Sequence, residues 1–598
     1  MRRSLPAVTV VAVLVLSGCG IPDETGVTEI GTGPSTGISA GDNDTPVAEA
    51  TRGTTKDRTQ FIRNYLEAAA GDYDTALERV KGFMTQSLAN QFKPPSAPKV
   101  IRLTDTPLED LDEGTVAVSY EVIGTLAKNG VLEPVEPSKG TYTFHVSEVA
   151  GEAGLFVAEA PDVLLLSEDA LSEKYVERTI YFWNTERTTL VPDVRYMSRN
   201  LPEEQEPNTV LSWLVAGPSP WLRDAVEALP EGTATIGKVP AIADGRLQIE
   251  LTAQAVPAKG AAEAMERLRN QLQWSLRPAQ YEFLNVKIGH QQEHEYTATN
   301  YYTSNVAHRL ALSPERFVVY DGKIVRVAKS TNETERIPAI PAAANKDVRF
   351  GALHSSATHI FAAVVSGRDD ALRVGAAQFD QDATLQTVTG LPAGRGQPVW
   401  AITPDKTTEG AVGLILANGR LHSFGAQGGA AQAVPLPGVT GKISAFSVAP
   451  DGHRLALVVD GRLYRATLTV TGDGVELSVP EQLRPPLEAV TAVAFSSESW
   501  LNVAGSRRGR GSIIQVSVDG AREGPNPVEI GSGVINYLTA YPSNPQTNEY
   551  HSNSVSFTIG AVAYDVLAKA ESIGVNDLAD PPAQPPAGKI PTAPFFLN

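Results

Sequence analysis

A single cysteine, Cys19, stands in 598 residues, so no internal disulfide can form and the fold has to hold by packing alone. Basic side chains are also in deficit: 50 Lys and Arg face 68 Asp and Glu, a formal net charge of −18. Phosphate backbones reward clustered Lys and Arg, so a surface this acidic argues against nucleic acid as a partner. The same charge is held off anionic lipid headgroups, and attachment to a membrane would need a lipid rather than a protein face. Past Leu16 no apolar run approaches the ~20 residues that a membrane-spanning helix needs. G-x-S-x-G occurs only in the Gly- and Ser-rich stretch Gly33–Gly41 and not at a strand-to-helix elbow, which makes an α/β-hydrolase nucleophile unlikely as a source of chemistry. Acidic clusters such as Glu109-Asp110-Leu111-Asp112-Glu113 lack a recognisable partner motif and read as solvated loop.

What is present begins with Arg2-Arg3, an apolar run from Leu5 to Leu16, and small residues before Cys19. A basic start, a short apolar stretch and small residues at a cut are the three parts of a secretory signal. The apolar run, interrupted by Pro6, is too short for a permanent span of ~30 Å of hydrocarbon. Leu16-Ser17-Gly18-Cys19 resembles the lipobox of bacterial lipoproteins, whose cysteine thiol takes a diacylglyceryl group before a peptidase frees its amine. The resemblance implies a signal peptide over 1–18 and acylation of Cys19; the plainer alternative is an ordinary signal with a chance cysteine. Acyl chains bury ~0.8 kcal/mol per methylene, and two of them satisfy the two-signal requirement for stable anchoring. Residues 19–56 are rich in Gly, Thr, Ser, Pro and Asp and read as a flexible linker after the lipidated cysteine.

Folded sequence follows. Phe61, Ile62, Tyr65, Leu66 and Ala69 share a helical face, and Tyr73, Leu77 and Val80 a second. Alternation at Val116, Val118, Tyr120 and Val122, and again at Tyr142, Phe144 and Val146, predicts antiparallel strands. Helices first and a sheet afterwards make 57–175 a small α+β domain, an order compatible with a cone-shaped NTF2-like fold. Over 176–290 the sequence predicts strands at Thr179–Trp183, Leu190–Pro192, Leu247–Leu251 and Tyr281–Ile288. A helix through Val210, Leu211 and Leu214 stops at Gly217-Pro218, and another carries Met265, Leu268, Leu272 and Leu276 before Pro278. The phrases YFWN…LVPDVR, VLSWLVAGPS, ALPEGT, DGRLQIEL and VKIG together resemble a GerMN domain. That resemblance implies an α/β module to which no chemistry is assigned as a class.

A repeat occupies 300–575. Ala311-Leu312-Ser313-Pro314, Ala352-Leu353-His354-Ser355, Ala401-Ile402-Thr403-Pro404, Val448-Ala449-Pro450-Asp451 and Ala494-Phe495-Ser496-Ser497 are versions of one phrase. From Ser313 to His354, Thr403, Ala449 and Ser496 the steps are 41, 49, 46 and 47 residues, each holding apolar strands and a Gly turn. That period is the signature of an all-β propeller, here of about six blades, with Leu538–Tyr541 and Val555–Phe557 as a worn sixth copy. The Pro-rich tail, 576–598, is expected to lie outside the ring and unpacked, with Phe595-Phe596-Leu597 as its one candidate for burial.

Two patterns invite chemistry and neither has its context. His290-Gln291-Gln292-Glu293-His294 fits H-x-x-E-H, but no amphipathic helix surrounds it, and a polar linker is expected instead of a zinc site. Gly394-Arg395-Gly396 and Arg507-Arg508-Gly509-Arg510-Gly511 fall between propeller strands, not between a strand and a helix N-terminus, and read as hairpin turns. No catalytic, cofactor-binding or metal-ligating set is therefore assigned, and Cys19 is the only site residue. Lipobox, linker, α+β domain, GerMN-like domain and propeller, in this order, resemble the LpqB family of actinobacterial lipoproteins. The resemblance implies a lipid-anchored accessory on the extracytoplasmic face, acting on the external domain of the sensor kinase MtrB. Through that kinase and its regulator MtrA it would influence cell-wall homeostasis and division. The alternative is a cell-wall glycan hydrolase or lyase using the propeller channel, which convergent carboxylates at one mouth would favour. If Cys19 carries the anchor, wild type incorporates radiolabelled palmitate and Cys19→Ala does not; equal labelling of both would refute the assignment.

Overall fold

The computed structural model describes residues 51–598 apart from 112–113, 136–137, 278–280, 290–292, 299–300, 302–303, 306–309, 312, 328–335, 473, 546–553 and 567–568. The expected signal peptide, Cys19 and nearly all of the expected linker lie outside the described residues. The first domain opens with helices α1 (Arg58–Glu67), α2 (Ala76–Lys81) and α3 (Gln86–Gln91). Asp57 starts α1 by accepting from the backbone N–H of Thr59 (2.9 Å) and Gln60 (3.1 Å), and Phe61, Ile62, Tyr65 and Leu66 are buried along one stripe. The sheet follows: β1 (Lys99–Leu111), β2 (Thr115–Leu126), β3 (Leu132–Pro134), β4 (Lys139–Glu148), β5 (Leu155–Glu159) and β6 (Leu165–Ser167). Its order is β5-β4-β2-β1-β6, with β3 on β2, and only β6 runs parallel to its neighbour. Along β2 every second residue from Val116 to Leu126 is buried, the period of a strand with one face on a core. Helix α4 (Glu168–Lys174) leads out, N-capped by the Ser167 hydroxyl on the Ala170 N–H at 3.1 Å.

The second domain pairs β7 (Tyr175–Trp183) with β8 (Leu190–Ser198) in a long hairpin. Helix α5 (Glu206–Ala216) ends at Gly217, whose φ of 89° glycine takes without strain. Strand β9 (Arg246–Leu251), helix α6 (Ala261–Leu276) and strand β10 (Phe283–Ile288) form a parallel crossover unit, and β11 (His294–Thr297) adds antiparallel to β10. Both helices pack into one core with Ile180, Phe182, Val191, Leu247 and Ile249. The PDVR phrase acquires a structural reason: Asp193 and Arg195 share one face of β8 as a fully buried ion pair at 2.7 Å. Arg195 also donates to the Gly217 carbonyl, and Asp193 accepts from the Ser219 N–H, so the pair ties the hairpin to the turn after α5. His294 sits in β11 opposite Val286, and His290 lies outside the described residues.

Among the described residues six sheets make the propeller. Their innermost strands are Val348–Ser355, Val399–Ile402, Ile443–Val448, Ala489–Phe495, Ile535–Ala540 and Thr592–Phe596, and neighbouring ones touch in cyclic order. The expectation of an unpacked tail outside the ring is corrected here. Thr592–Phe596 is the inner strand of the first blade, paired antiparallel to Arg316–Tyr320, with Lys323–Arg326 beyond it. Phe595 and Phe596 are 5% and 2% exposed, and Phe595 stacks on Phe317 with ring centroids 5.4 Å apart. The proline-rich stretch 579–590 is exposed and delivers the chain to this slot. The repeated phrase marks the end of each inner strand and the turn after it. Among the described residues no strand precedes the first copy, at Ser313, and the C-terminus supplies the inner strand: the Leu597 N–H donates to the Glu315 carbonyl at 3.0 Å. Phe595→Ala should cost about 3–5 kcal/mol, read as a fall in thermal midpoint by circular dichroism, whereas Ile590→Ala on the exposed stretch should leave the midpoint nearly unchanged.

Candidate functional site

The three domains meet around two turns of the fifth blade (inner strand Ala489–Phe495). In the first turn, Glu498 is buried and accepts from both the Tyr181 hydroxyl and the Arg277 guanidinium, while Arg277 also donates to the Tyr181 hydroxyl at 2.9 Å. Burial, reinforced by the Glu498 charge despite nearby Arg277, pushes the Tyr181 hydroxyl well above the usual phenol range, so it stays a donor. In the second turn, Arg522 pairs with Glu177 at 3.0 Å and reaches Ser172 at 3.3 Å. Ala521 enters a core with Leu166, Ala170, Leu171, Tyr175 and Tyr196, which belong to the first two domains. Arg102 of the first domain holds Glu168 at 2.6 Å and donates to the Arg484 carbonyl at 2.8 Å and the Gly520 carbonyl at 3.4 Å.

A cavity of about 750 Å³ opens where the inner strands end. Leu353, Trp400, Ile402, Phe446, Phe495 and Leu538 form much of its wall, and the turn between β7 and β8 covers part of the mouth with Asn184, Glu186, Thr188 and Thr189. Asn184 fixes that turn. Its oxygen accepts from the N–H groups of Thr188 (2.8 Å) and Thr189 (3.0 Å), and its amide reaches Glu186 (2.9 Å) and His453 Nε2 (2.8 Å) on the propeller. His453 Nδ1 lies 3.0 Å from the Leu468 carbonyl, which can only accept, so Nδ1 carries the proton and Nε2 accepts from Asn184. His354, on the wall, is held down to about 4 by burial, against a weaker opposing bond to the Ser355 carbonyl, and is neutral at physiological pH.

The acidic side chains of the wall are each held by a neighbour. Glu186 accepts from Asn184, Asp405 from the Ala357 N–H at 2.8 Å, and Asp451 from the His453 N–H at 2.9 Å and Arg454 Nε at 2.8 Å. Both members of the Asp451–Arg454 pair are about 1% exposed. No group of three or more His, Cys, Asp or Glu able to hold a metal occurs among the described residues.

The residues singled out in the sequence do not assemble here. Arg507 pairs with Glu523, and Arg510 with Glu529 at 3.4 Å. Arg395 donates to the Leu391 carbonyl at 2.9 Å, a turn contact. The residues that do line the junctions and the mouth, Asn184, Glu177, His354, His453 and Glu498, escaped notice because their partners lie far off in sequence. His354 alone left a signal, as the one imidazole at a position that the other phrases fill with Ser, Thr or Ala.

The chain matches the family model described as "Lipoprotein LpqB, N-terminal domain" over residues 53–172. It matches "Sporulation and spore germination" over 179–288 and "Lipoprotein LpqB beta-propeller domain" over 322–531, which stops short of the sixth blade and the closing strand. It is similar to Lipoprotein LpqB of Rhodococcus opacus (strain B4), 25% identical over 556 residues, covering 87% of this chain and 88% of the relative. It is also similar to Lipoprotein LpqB of Corynebacterium jeikeium (strain K411), 24% identical over 499 residues, covering 77% and 78%. Among solved structures, a chain in a nidogen/laminin complex is 11% identical at a TM-score of 0.29, covering 48% of this chain and 98% of that one, too low a likeness to carry an argument.

The Glu177–Arg522 junction has a pH signature. Burial raises the Glu177 carboxyl from its ordinary 4.5 to about 7, against the attraction of Arg522. Between those values the folded state binds more protons than the unfolded one, so this group's contribution to stability falls as pH rises from about 4.5 to 7. Glu177→Gln removes the titration. The midpoint of the variant minus that of the wild type, measured by scanning calorimetry, should therefore grow more positive from pH 5 to pH 7.5; a constant difference would refute the assignment.

Proposed function

The chain belongs to the LpqB lipoprotein family, and on that premise we propose a lipid-anchored, non-catalytic accessory that docks, outside the membrane, onto the ectodomain of an MtrB-type sensor kinase. Through that contact it tunes the MtrAB-type signalling that governs cell-wall homeostasis and division. The observation that carries this reading is the charged junction around Glu498 and Arg522, which ties the GerMN-like domain to the propeller and lets the two present one continuous, fixed surface. No helix among the described residues is long and apolar enough to cross a membrane; the attachment in this reading is the lipid on Cys19. A flexible tether then raises the effective concentration of even a weak docking surface, to the millimolar range for short linkers.

The hydrolase alternative needs one carboxyl free to give a proton and another free to take one or to attack. Glu186, Asp405 and Asp451 instead hold the wall together, which favours binding over catalysis. Titration calorimetry of the unlipidated fragment from residue 51 onward against the purified kinase ectodomain tests the proposal. Binding that weakens with graded salt is the expected result, since the acidic chain has to meet a complementary surface. No heat at millimolar concentrations, together with release of reducing ends from cell-wall glycan by the same fragment, would replace the accessory with the enzyme.

A further inference from the structure

We propose that the propeller mouth is a binding site for a short, uncharged oligosaccharide. The claim stands apart from kinase docking and rests on the wall of the cavity alone.

Its size comes first. At about 750 Å³ the cavity falls within the roughly 300–1,000 Å³ of small-ligand sites and has room for more than one sugar ring. Charge comes next. Asp451 is neutralised by Arg454, while Glu186 and Asp405 are occupied by N–H donors of the wall. His354 is neutral, and among the lining residues Lys406 is the one Lys or Arg. A phosphate or carboxylate ligand would find no paired guanidinium cradle.

The polar atoms narrow the class further. His354 Nδ1 lies 2.9 Å from the Ser355 carbonyl, so it carries the proton, and Thr403 Oγ1 sits 2.9 Å from the same nitrogen. That arrangement leaves His354 Nε2 as an acceptor without a partner among the described residues, and leaves the Thr403 hydroxyl proton to donate elsewhere. His354 and Thr403 both line the cavity. The wall thus sets a donor (Thr403) and an acceptor (His354) beside apolar surface from Val399, Ile402, Phe446, Val448 and Tyr537. A lipid chain would face His354 Nε2 with nothing to donate, at a cost of ~1–3 kcal/mol. Hydroxyl groups both donate and accept, and a pyranose ring sets them around apolar C–H faces that pack on aromatic rings.

The test is titration calorimetry of the full chain with maltotriose, cellotriose, mannotriose and tri-N-acetylchitotriose. At least one should bind with a Kd below ~1 mM. His354→Ala and the isosteric Thr403→Val should each weaken that binding by about tenfold or more with an unchanged thermal midpoint. The pair of variants guards against a folding defect in either one. Absence of binding by every sugar at about 10 mM, or binding that neither substitution changes, would overturn the site. Tighter binding of a neutral blocked tripeptide or of an alkyl-chain probe than of any sugar would overturn the ligand class.

Discussion

Closure of the propeller ring governs most of what this chain can do. Five blades take their inner strand from local sequence, but the first takes it from Thr592–Phe596, nearly three hundred residues downstream of Arg316–Tyr320. A propeller has no independent core: each blade buries its apolar faces against two neighbours, so a missing inner strand would expose surface on both sides of the gap. The stacked Phe595 and Phe317 rings, beneath the Arg326 guanidinium 5.4 Å from the Phe317 centroid, supply the apolar part of the lock. Because the closing residues also line the central cavity, the event that completes the ring also completes the site.

The second constraint is the way the fifth blade receives the other domains. Its turns place Glu498 against Tyr181 and Arg277, and Arg522 against Glu177, with little solvent access. Buried charges cost desolvation free energy and are weak sources of net stability, but breaking such a contact leaves an uncompensated charge and is far more costly. Contacts of that kind select one relative placement of domains rather than a range. The Asn184–His453 contact adds a neutral hydrogen bond at the cavity mouth, so the position of the covering turn is tied to the same placement.

Anchoring and recognition are separated in this design. A lipid on Cys19 and the linker would supply location and reach, while the block from residue 57 onward supplies shape. The acidic composition of the chain disfavours adhesion to anionic headgroups. Within the cavity, the His354 imidazole is neutral and the carboxylates of Glu186, Asp405 and Asp451 are held by neighbouring donors.

Local signals were enough to read much of this architecture. Alternation at Val116–Val122 and the helical stripe through Met265, Leu268, Leu272 and Leu276 mark elements directly, because strand and helix periods of burial are written residue by residue. The propeller was legible because its phrase recurs at near-constant steps. The tail was misread since a proline-rich approach carries no burial pattern, and a closing strand is identified by its partner Arg316–Tyr320 and not by its neighbours in sequence. Glu498, Arg522, Asn184 and His354 look like ordinary surface or turn residues for the same reason. Their roles come from partners on other domains or on neighbouring blades, and a pairing of that sort has no period or spacing to betray it until the chain is folded.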